Sequence, residues 1–393
     1  VASTPTPRAA LLPLVLAGLV ATALLLWRFA QNPLLQSFAP IGGDFFNVWV
    51  GPRVAALDLA ALFSVPHYMA LAQGWFPMEL ATRNWSYPLY TLFFYAPFSW
   101  SGYLTGLALW SAIGLALYLL VAHAYLPAGA RRAGLLCLAL SPFALLNLWV
   151  GQNGFFTAAL QLAAITCLGR RPVLAGVLVG LLCVKPHLAI VWPLALLALG
   201  AWRSIAAAAL TVLLCAASSL LLHGVDAWVQ YLQIAGPFQA QLAAAGPEGG
   251  VLRYYQLMLV SPFSALRLLG VALPWAMAAQ VVLSIGVLAA CAVGVRRHRD
   301  ALSRALLIGS AGLLITPYAF HYDMGLLNAA LVAWLVHHAA QADSPRALLH
   351  KAAFLLPVWV MLLNSLLLPL APLCLLAVFL KTLWANPAPE TLC

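Results

Sequence analysis

The chain reads as an all-α, polytopic integral membrane protein, and three observations predict it. Hydrophobic residues make up 64% of its 393 positions and charged ones 7%, with a mean hydropathy of +0.97. A soluble domain carries roughly a quarter charged residues, so this chain has no means of covering a water-facing surface. Apolar runs recur along the whole length and are continuous, as helices in lipid require; the alternation of a membrane β-barrel is missing. Basic residues gather at segment ends, at Arg8, Arg131–Arg132, Arg170–Arg171, Arg203 and the RRHR run at 296–299. That is the inside-positive marking of membrane helices. It accounts for a formal charge of +10 without a nucleic-acid partner, which would call for a basic stripe.

The first crossing is expected at about residues 10–30, as an anchor helix, since no small-residue cleavage site follows it. Residues 31–87 are the longest stretch that is not plainly apolar and form the expected first outer loop. Within it, 50–63 reads as an interfacial helix whose polar side carries Arg53 and Asp58, among Trp and Tyr residues suited to headgroup depth. Apolar runs follow at 88–98, 103–125, 133–149, 154–169, 172–184, 188–200, 204–222, 271–294, 303–317, 324–339, 347–366 and 370–385. The total is about 10–13 helical segments, several shorter than the ~20 residues of a full crossing.

Charge sets direction. With Arg131–Arg132 and Arg170–Arg171 inside, the GQNG turn at 151–154 falls outside, and so does Lys185–Pro186, between Arg171 and Arg203. RRHR inside sends TPYAFHYDMG, 316–325, outward, and 223–256 forms a second large outer loop. The count fails once. Two full crossings between 88 and 125 would put Arg131–Arg132 outside, so either 88–98 dips in without crossing or one basic pair breaks the rule. A single transmembrane domain over 1–393 is expected, without an internal repeat, monomeric among membrane lipids. Seven cysteines show no paired spacing, and six lie in or beside apolar runs, giving neither a disulfide framework nor a zinc site.

Once the inside charges are set aside, five segments deliver polar groups to one side. They are Asp44 in GGDFFNVW; Gln152 and Asn153; Lys185 and His187; Arg253 with Tyr254, Tyr255 and Gln256; and His321, Tyr322 and Asp323. Ionisable groups at membrane depth are costly and serve a pathway or a site. Plainer roles stand beside this one. Asp44 suits a loop or a helix cap, Lys185 could snorkel ahead of the helix break at Pro186, GQNG is also an Asn-Gly turn, and His321 could pair with Asp323. Arg253 has the plain role of a loop arginine, and Asp58, Glu79 and Arg83 read as architectural. Together, one carboxylate with cationic and imidazole groups suits deprotonation of a hydroxyl while a phosphate departs. No carboxylate cluster suggests a divalent metal, no P-loop or GxGxxG suggests a nucleotide, and no cofactor is expected.

The segments GGDFFNVW, YPLYTLFFYAPFSW, VGQNGFFTAALQLAAITCLGRRPVLAGVLVGLLCVKPHLAIVWPLALLALGAWR and YAFHYDMGLL resemble glycosyltransferase family 87, from about residue 10 to about 340. The GQNG…RRP…G…KP block is the most specific part. The resemblance implies a GT-C membrane fold in a bacterial plasma (inner) membrane, with the active site facing the periplasm or exterior. It implies inverting transfer of a hexose, mannose first, from a polyprenyl-phosphate donor to a lipid or glycan acceptor, without a nucleotide sugar. Asp44 would be the general base. Lys185, His321, Arg253 and Tyr322 would hold the donor and its phosphate, and Gln152, Asn153, His187 and Asp323 the sugar or acceptor. His187 stands where the family often has glutamine, which leaves donor preference open. Two other classes compete: a transporter or flippase for a lipid-linked substrate, which would favour an inverted repeat, and a non-catalytic component of a polysaccharide pathway, which would tolerate loss of Asp44.

Overall fold

The computed structural model describes residues 7–31, 41–244 and 255–387, and apart from one isolated β-bridge its regular elements are helical. Helix α1 (Pro7–Ala30) precedes three short helices, α2 (Phe45–Leu57), α3 (Val65–Gln73) and α4 (Thr91–Ser99). The middle of the chain forms α5 (Tyr103–Ala122), α6 (Arg131–Ala139), α7 (Pro142–Val150), α8 (Gly154–Cys167), α9 (Pro172–Gly180), α10 (Pro186–Ala189), α11 (Val191–Ala198) and α12 (Trp202–Ala244). The last third holds α13 (Pro262–Leu268), α14 (Leu273–Arg297), α15 (Ala301–Leu314), α16 (Gly325–His337), α17 (Pro345–Ser365) and α18 (Ala371–Leu383).

Among the described residues, four helical stretches are long and apolar enough to cross a membrane: Tyr103–Tyr125, Trp202–Ile234, Leu273–Arg297 and Pro345–Ser365. A fifth arises if Ala128–Ala139 and Pro142–Val150, bent by 42°, count as one span. Proline makes much of this segmentation. It lacks an N–H and disfavours helix in the residue before it, so Pro142, Pro172 and Pro186 each open a new helix. Lys185, the residue before Pro186, is non-helical at φ −140°, ψ 73°.

One open alternative is narrowed, and two expectations meet a different structure. Helix α4 has nine residues and rises about 14 Å, half of the ~30 Å hydrocarbon core. Alone it does not cross, which favours the reading in which 88–98 dips into the membrane. Helix α2 starts at Phe45, not near 50, and buries Phe45, Phe46, Val48, Trp49 and Val50. Its Arg53 lies 3.9 Å over the Trp49 ring and donates to the carbonyls of Ser99 (2.9 Å) and Ser101 (3.2 Å). Arg53 therefore ties α2 to the end of α4. Beyond Gly224 (φ 79°), where the axis of α12 breaks, the chain stays helical to Ala244, so much of 223–256 is not loop.

Two main apolar clusters result, with a small third one around Phe263 of α13 and Ala276 of α14. The larger joins α1, α5 to α9, α11, and α14 to α18, with α16 buried over nearly its whole length. The smaller is aromatic and surrounds α2: Trp49 meets Trp75, Phe76 and Tyr103 edge to face, with centroids 5.6–5.8 Å apart. It holds the start of α2, and therefore Asp44, against α5.

Candidate functional site

The site lies where the bundle's turns converge at one end. Asp44 immediately precedes α2. Its N–H donates to the Val150 carbonyl (2.8 Å), which fixes the first loop to the end of α7. The Gly43 carbonyl accepts from Arg83 Nη1, and the Tyr103 hydroxyl is shared between the carbonyls of Ile41 (2.9 Å) and Gly42 (3.0 Å). Asp44 occupies the N-cap position of α2, yet its side chain makes no capping bond. Its Oδ2 accepts instead from Gln152 Nε2 at 3.1 Å. The capping role is thus not the one it plays.

The 151–154 turn is built to present Gln152. Gly151 closes α7 in the left-handed region (φ 67°), where glycine carries no Cβ penalty. Trp110 Nε1 donates to the Gly151 carbonyl (3.1 Å) from α5. Gln152 Oε1 accepts from the Asn153 N–H (3.0 Å), which leaves the Gln152 amide NH₂ for Asp44. Asn147, buried inside α7, braces the turn from below. It accepts from the Gly154 N–H (3.1 Å) and donates to the Tyr322 carbonyl (3.2 Å). A Cβ at Gly154 would collide with Asn147 Oδ1 and the Tyr322 carbonyl, so the close approach of these two turns requires glycine there.

The second half of the site is a buried ion pair. Lys185 Nζ lies 2.5 Å from Asp323 Oδ1, with side chains 8% and 0% exposed. The same ammonium donates to Asn153 Oδ1 (2.9 Å) and sits 4.8 Å from the Tyr322 ring centroid. Lys185 is buried among partners and does not snorkel. Asp323 Oδ2 accepts from the Phe320 N–H (3.2 Å) and meets His187 Nε2, also at 3.2 Å. The 3₁₀ turn His321–Asp323 is anchored through its backbone: His321 N–H donates to the Met258 carbonyl (3.0 Å), and Val260 N–H to the Ala319 carbonyl (2.9 Å). Asn364 of α17 in turn donates to the carbonyls of Leu257 and Leu259.

Burial and charge split the two carboxylates. Asp44 lies deep in the protein, and desolvation raises its pKa above 3.8 against the opposing pull of Arg83, Gln152 and Lys185. It nevertheless keeps part of its surface accessible. Burial would also raise Asp323, but Lys185 and His187 overcome it and hold its carboxyl down to about 2. One carboxylate is inclined to take a proton and the other stays ionised, a division of labour that separates a base from a structural anion. Burial holds the His321 imidazole down to about 4, so the ring is uncharged at neutral pH. Tyr255 and Tyr87 complete the surround, their phenol pKa values raised by burial and then by neighbouring groups, Asp44's charge included.

The structure therefore brings together Asp44, Gln152, Asn153, Lys185, His187, Tyr322 and Asp323. His321 adjoins them at the Tyr322 ring (centroids 5.4 Å apart), but the partners of Asp323 are Lys185 and His187, not the neighbouring histidine. Arg253 lies outside the described residues. Arg83, expected as architecture, braces the Asp44 loop and bears on its charge. Asn147 and Tyr87 were not legible as site neighbours, although a lone Asn inside the apolar FALLNLWV run was a signal. Among the described residues, no group of three or more His, Cys, Asp or Glu side chains is arranged to hold a metal ion.

An all-helical membrane protein with a buried polar cluster at one bundle end is a class shared by enzymes and transporters. The family model of glycosyltransferase family 87 matches residues 85–317, more than half of the chain, and the chain belongs to that family. It is a membrane glycosyltransferase. The match contains Gln152, Asn153, Lys185 and His187, whereas Asp44, His321, Tyr322 and Asp323 flank it. No curated protein and no solved structure matches the chain.

Proposed function

We propose that this protein transfers a hexose, mannose first among candidates, from a polyprenyl-phosphate donor to a lipid or glycan acceptor at the outer face of a bacterial inner membrane, within a GT-C fold. The observation that carries the reading is the Asp44 carboxylate, turned away from its own helix and held by Gln152, whose neighbour Asn153 holds Lys185 of the Lys185–Asp323 pair.

Asp44 takes the proton of the acceptor hydroxyl as its oxygen bonds to the anomeric carbon. The bond from that carbon to the phosphate oxygen breaks on the opposite side, polyprenyl phosphate leaves, and the anomeric configuration inverts. A raised pKa makes Asp44 a better base than a solvated aspartate. Lys185 lies nearest to the role of phosphate cation, and its existing partner Asp323 orients it before the donor arrives. The neutral His321 ring contributes at most a hydrogen bond to that phosphate. Metal plays no part in this scheme. Family membership favours transfer over transport.

The test is Asp44→Asn, which keeps size and most hydrogen bonding while removing the base. Transfer of labelled sugar from polyprenyl phosphate should fall to near zero with donor affinity retained. A stable variant transferring above about a tenth of the wild-type rate, a loss of only ~1.4 kcal/mol in barrier terms, overturns the assignment.

A further inference from the structure

A cavity lies at the end of the bundle away from the Asp44 site. Helix α8 runs from Gly154, beside the Asp44 site, to a turn at 168–172; α9 and the 3₁₀ turn Leu181–Val184 return to Lys185. Helices α10 and α11 descend again to a turn at 199–201, from which α12 starts at Trp202. These two turns and Arg304 of α15 enclose a cleft of about 460 Å³. Helices α8, α9 and α10 with α11 each have their other end at Lys185 or the 151–154 turn, and α15 leads to the turn that carries Asp323, so cleft and site lie at opposite ends of the bundle.

The lining is mostly apolar and carries two cationic side chains. Leu168, Pro172 and Leu199 form walls, and Arg203 and Arg304 supply the charge. Arg304 is held in place, its Nε donating to the carbonyls of His298 (2.9 Å) and Val295 (3.2 Å). Arg203 is exposed, as are Arg170 and Arg171 on the adjoining turn. Trp202 at the mouth is 67% exposed, as an indole at headgroup depth would be.

We propose that this cleft binds the phosphate diester of an anionic phospholipid in the leaflet opposite the Asp44 site. Charge complementarity carries the inference. A cleft with two arginines, opening beside lipid-facing apolar helix and carrying an interfacial Trp, matches a headgroup phosphate with its acyl chains alongside. Basic pockets between membrane helices recognise anionic headgroups by this combination. A neutral lipid offers no net charge to it, and a free phosphate makes no use of the apolar walls.

The experiment uses the full chain in neutral detergent, with lipid binding counted by native mass spectrometry and checked by thermal stability. Phosphatidylglycerol should bind and stabilise where phosphatidylcholine does not. Arg203→Gln, an exposed change without expected cost to folding, should weaken phosphatidylglycerol about fivefold. Arg297→Gln, at the exposed end of α14 and outside the cleft, should leave it unchanged. Equal losses from both variants would show a diffuse field rather than a site. Equal binding of the two lipids, or displacement of phosphatidylglycerol by millimolar inorganic phosphate, would also overturn the proposal. Sugar transfer enters none of these readouts, so the result stands apart from the proposed reaction.

Discussion

Replacing Lys185 by Met tests whether the Lys185–Asp323 pair is the structural unit that organises the site. Met keeps much of the length and removes the charge. The carboxylate left behind has 0% of its side chain exposed, so water cannot replace the lost partner. Breaking a buried pair by removing one member costs about 3–5 kcal/mol. His187 and the Phe320 N–H remain on Asp323, which puts the expected loss near the lower end, about 3 kcal/mol. Asp323→Asn in the Lys185→Met background removes the stranded charge and should recover about 2 kcal/mol of it. The assay is a double-mutant cycle in equilibrium unfolding from mixed micelles. The pH dependence has a defined sign. Because its folded pKa is depressed to about 2, Asp323 contributes stability above its ordinary 3.8 that is lost as pH falls through about 2. Lys185→Met should shift that window upward. A coupling below about 0.5 kcal/mol would refute the reasoning. A stable double variant that still transfers sugar would remove Lys185 from phosphate binding.

Asp44→Asn should behave oppositely in stability. A buried carboxylate with a raised pKa destabilises the fold as pH rises above 3.8 and it ionises, so the Asn variant should gain on wild type with rising pH while wild-type transfer rises as the base deprotonates; a variant that loses stability instead would return Asp44 to a structural role. Topology is testable with an impermeant thiol reagent after the native cysteines are replaced: Glu79→Cys, exposed near the site end, should label in intact spheroplasts, and Arg171→Cys, exposed at the opposite end, only after lysis. The reverse pattern would overturn the outer-face assignment. Transfer should continue in excess chelator; activity lost on chelation and restored by magnesium or manganese would place a metal in the reaction.

The parts of the site that were legible in the sequence are those marked by local chemistry. Lys185–Pro186 and GQNG interrupt apolar runs with residues that break or turn a helix, and a lone charge in such a run stands out. Pairing was not legible, because partners are set by packing between distant turns. Sequence proximity suggested His321 with Asp323. A 3₁₀ turn sends residues two apart to different sides, and the carboxylate meets α10 instead. The outer position of 50–63 also failed as a guide to local structure, since aromatic residues suited to headgroups equally suit the closed aromatic cluster they form around α2. Crossing lengths were hidden for a similar reason: the mostly apolar stretch at 91–99 looks the same whether it traverses or only enters the membrane.

The isolated bridge between Leu259 and Phe320 bears on how such a site can evolve. The strand-like pieces on either side of it are joined through main-chain groups, which every residue but proline carries in full. Side chains at 257–260 are relieved of any duty to hold Asp323 and answer only to the volume around them. Lineages could therefore vary these positions while the carboxylate stays in register. Asn364 is the exception, one side chain spanning two carbonyls of the bridged segment. Diversification would be expected to pass around it.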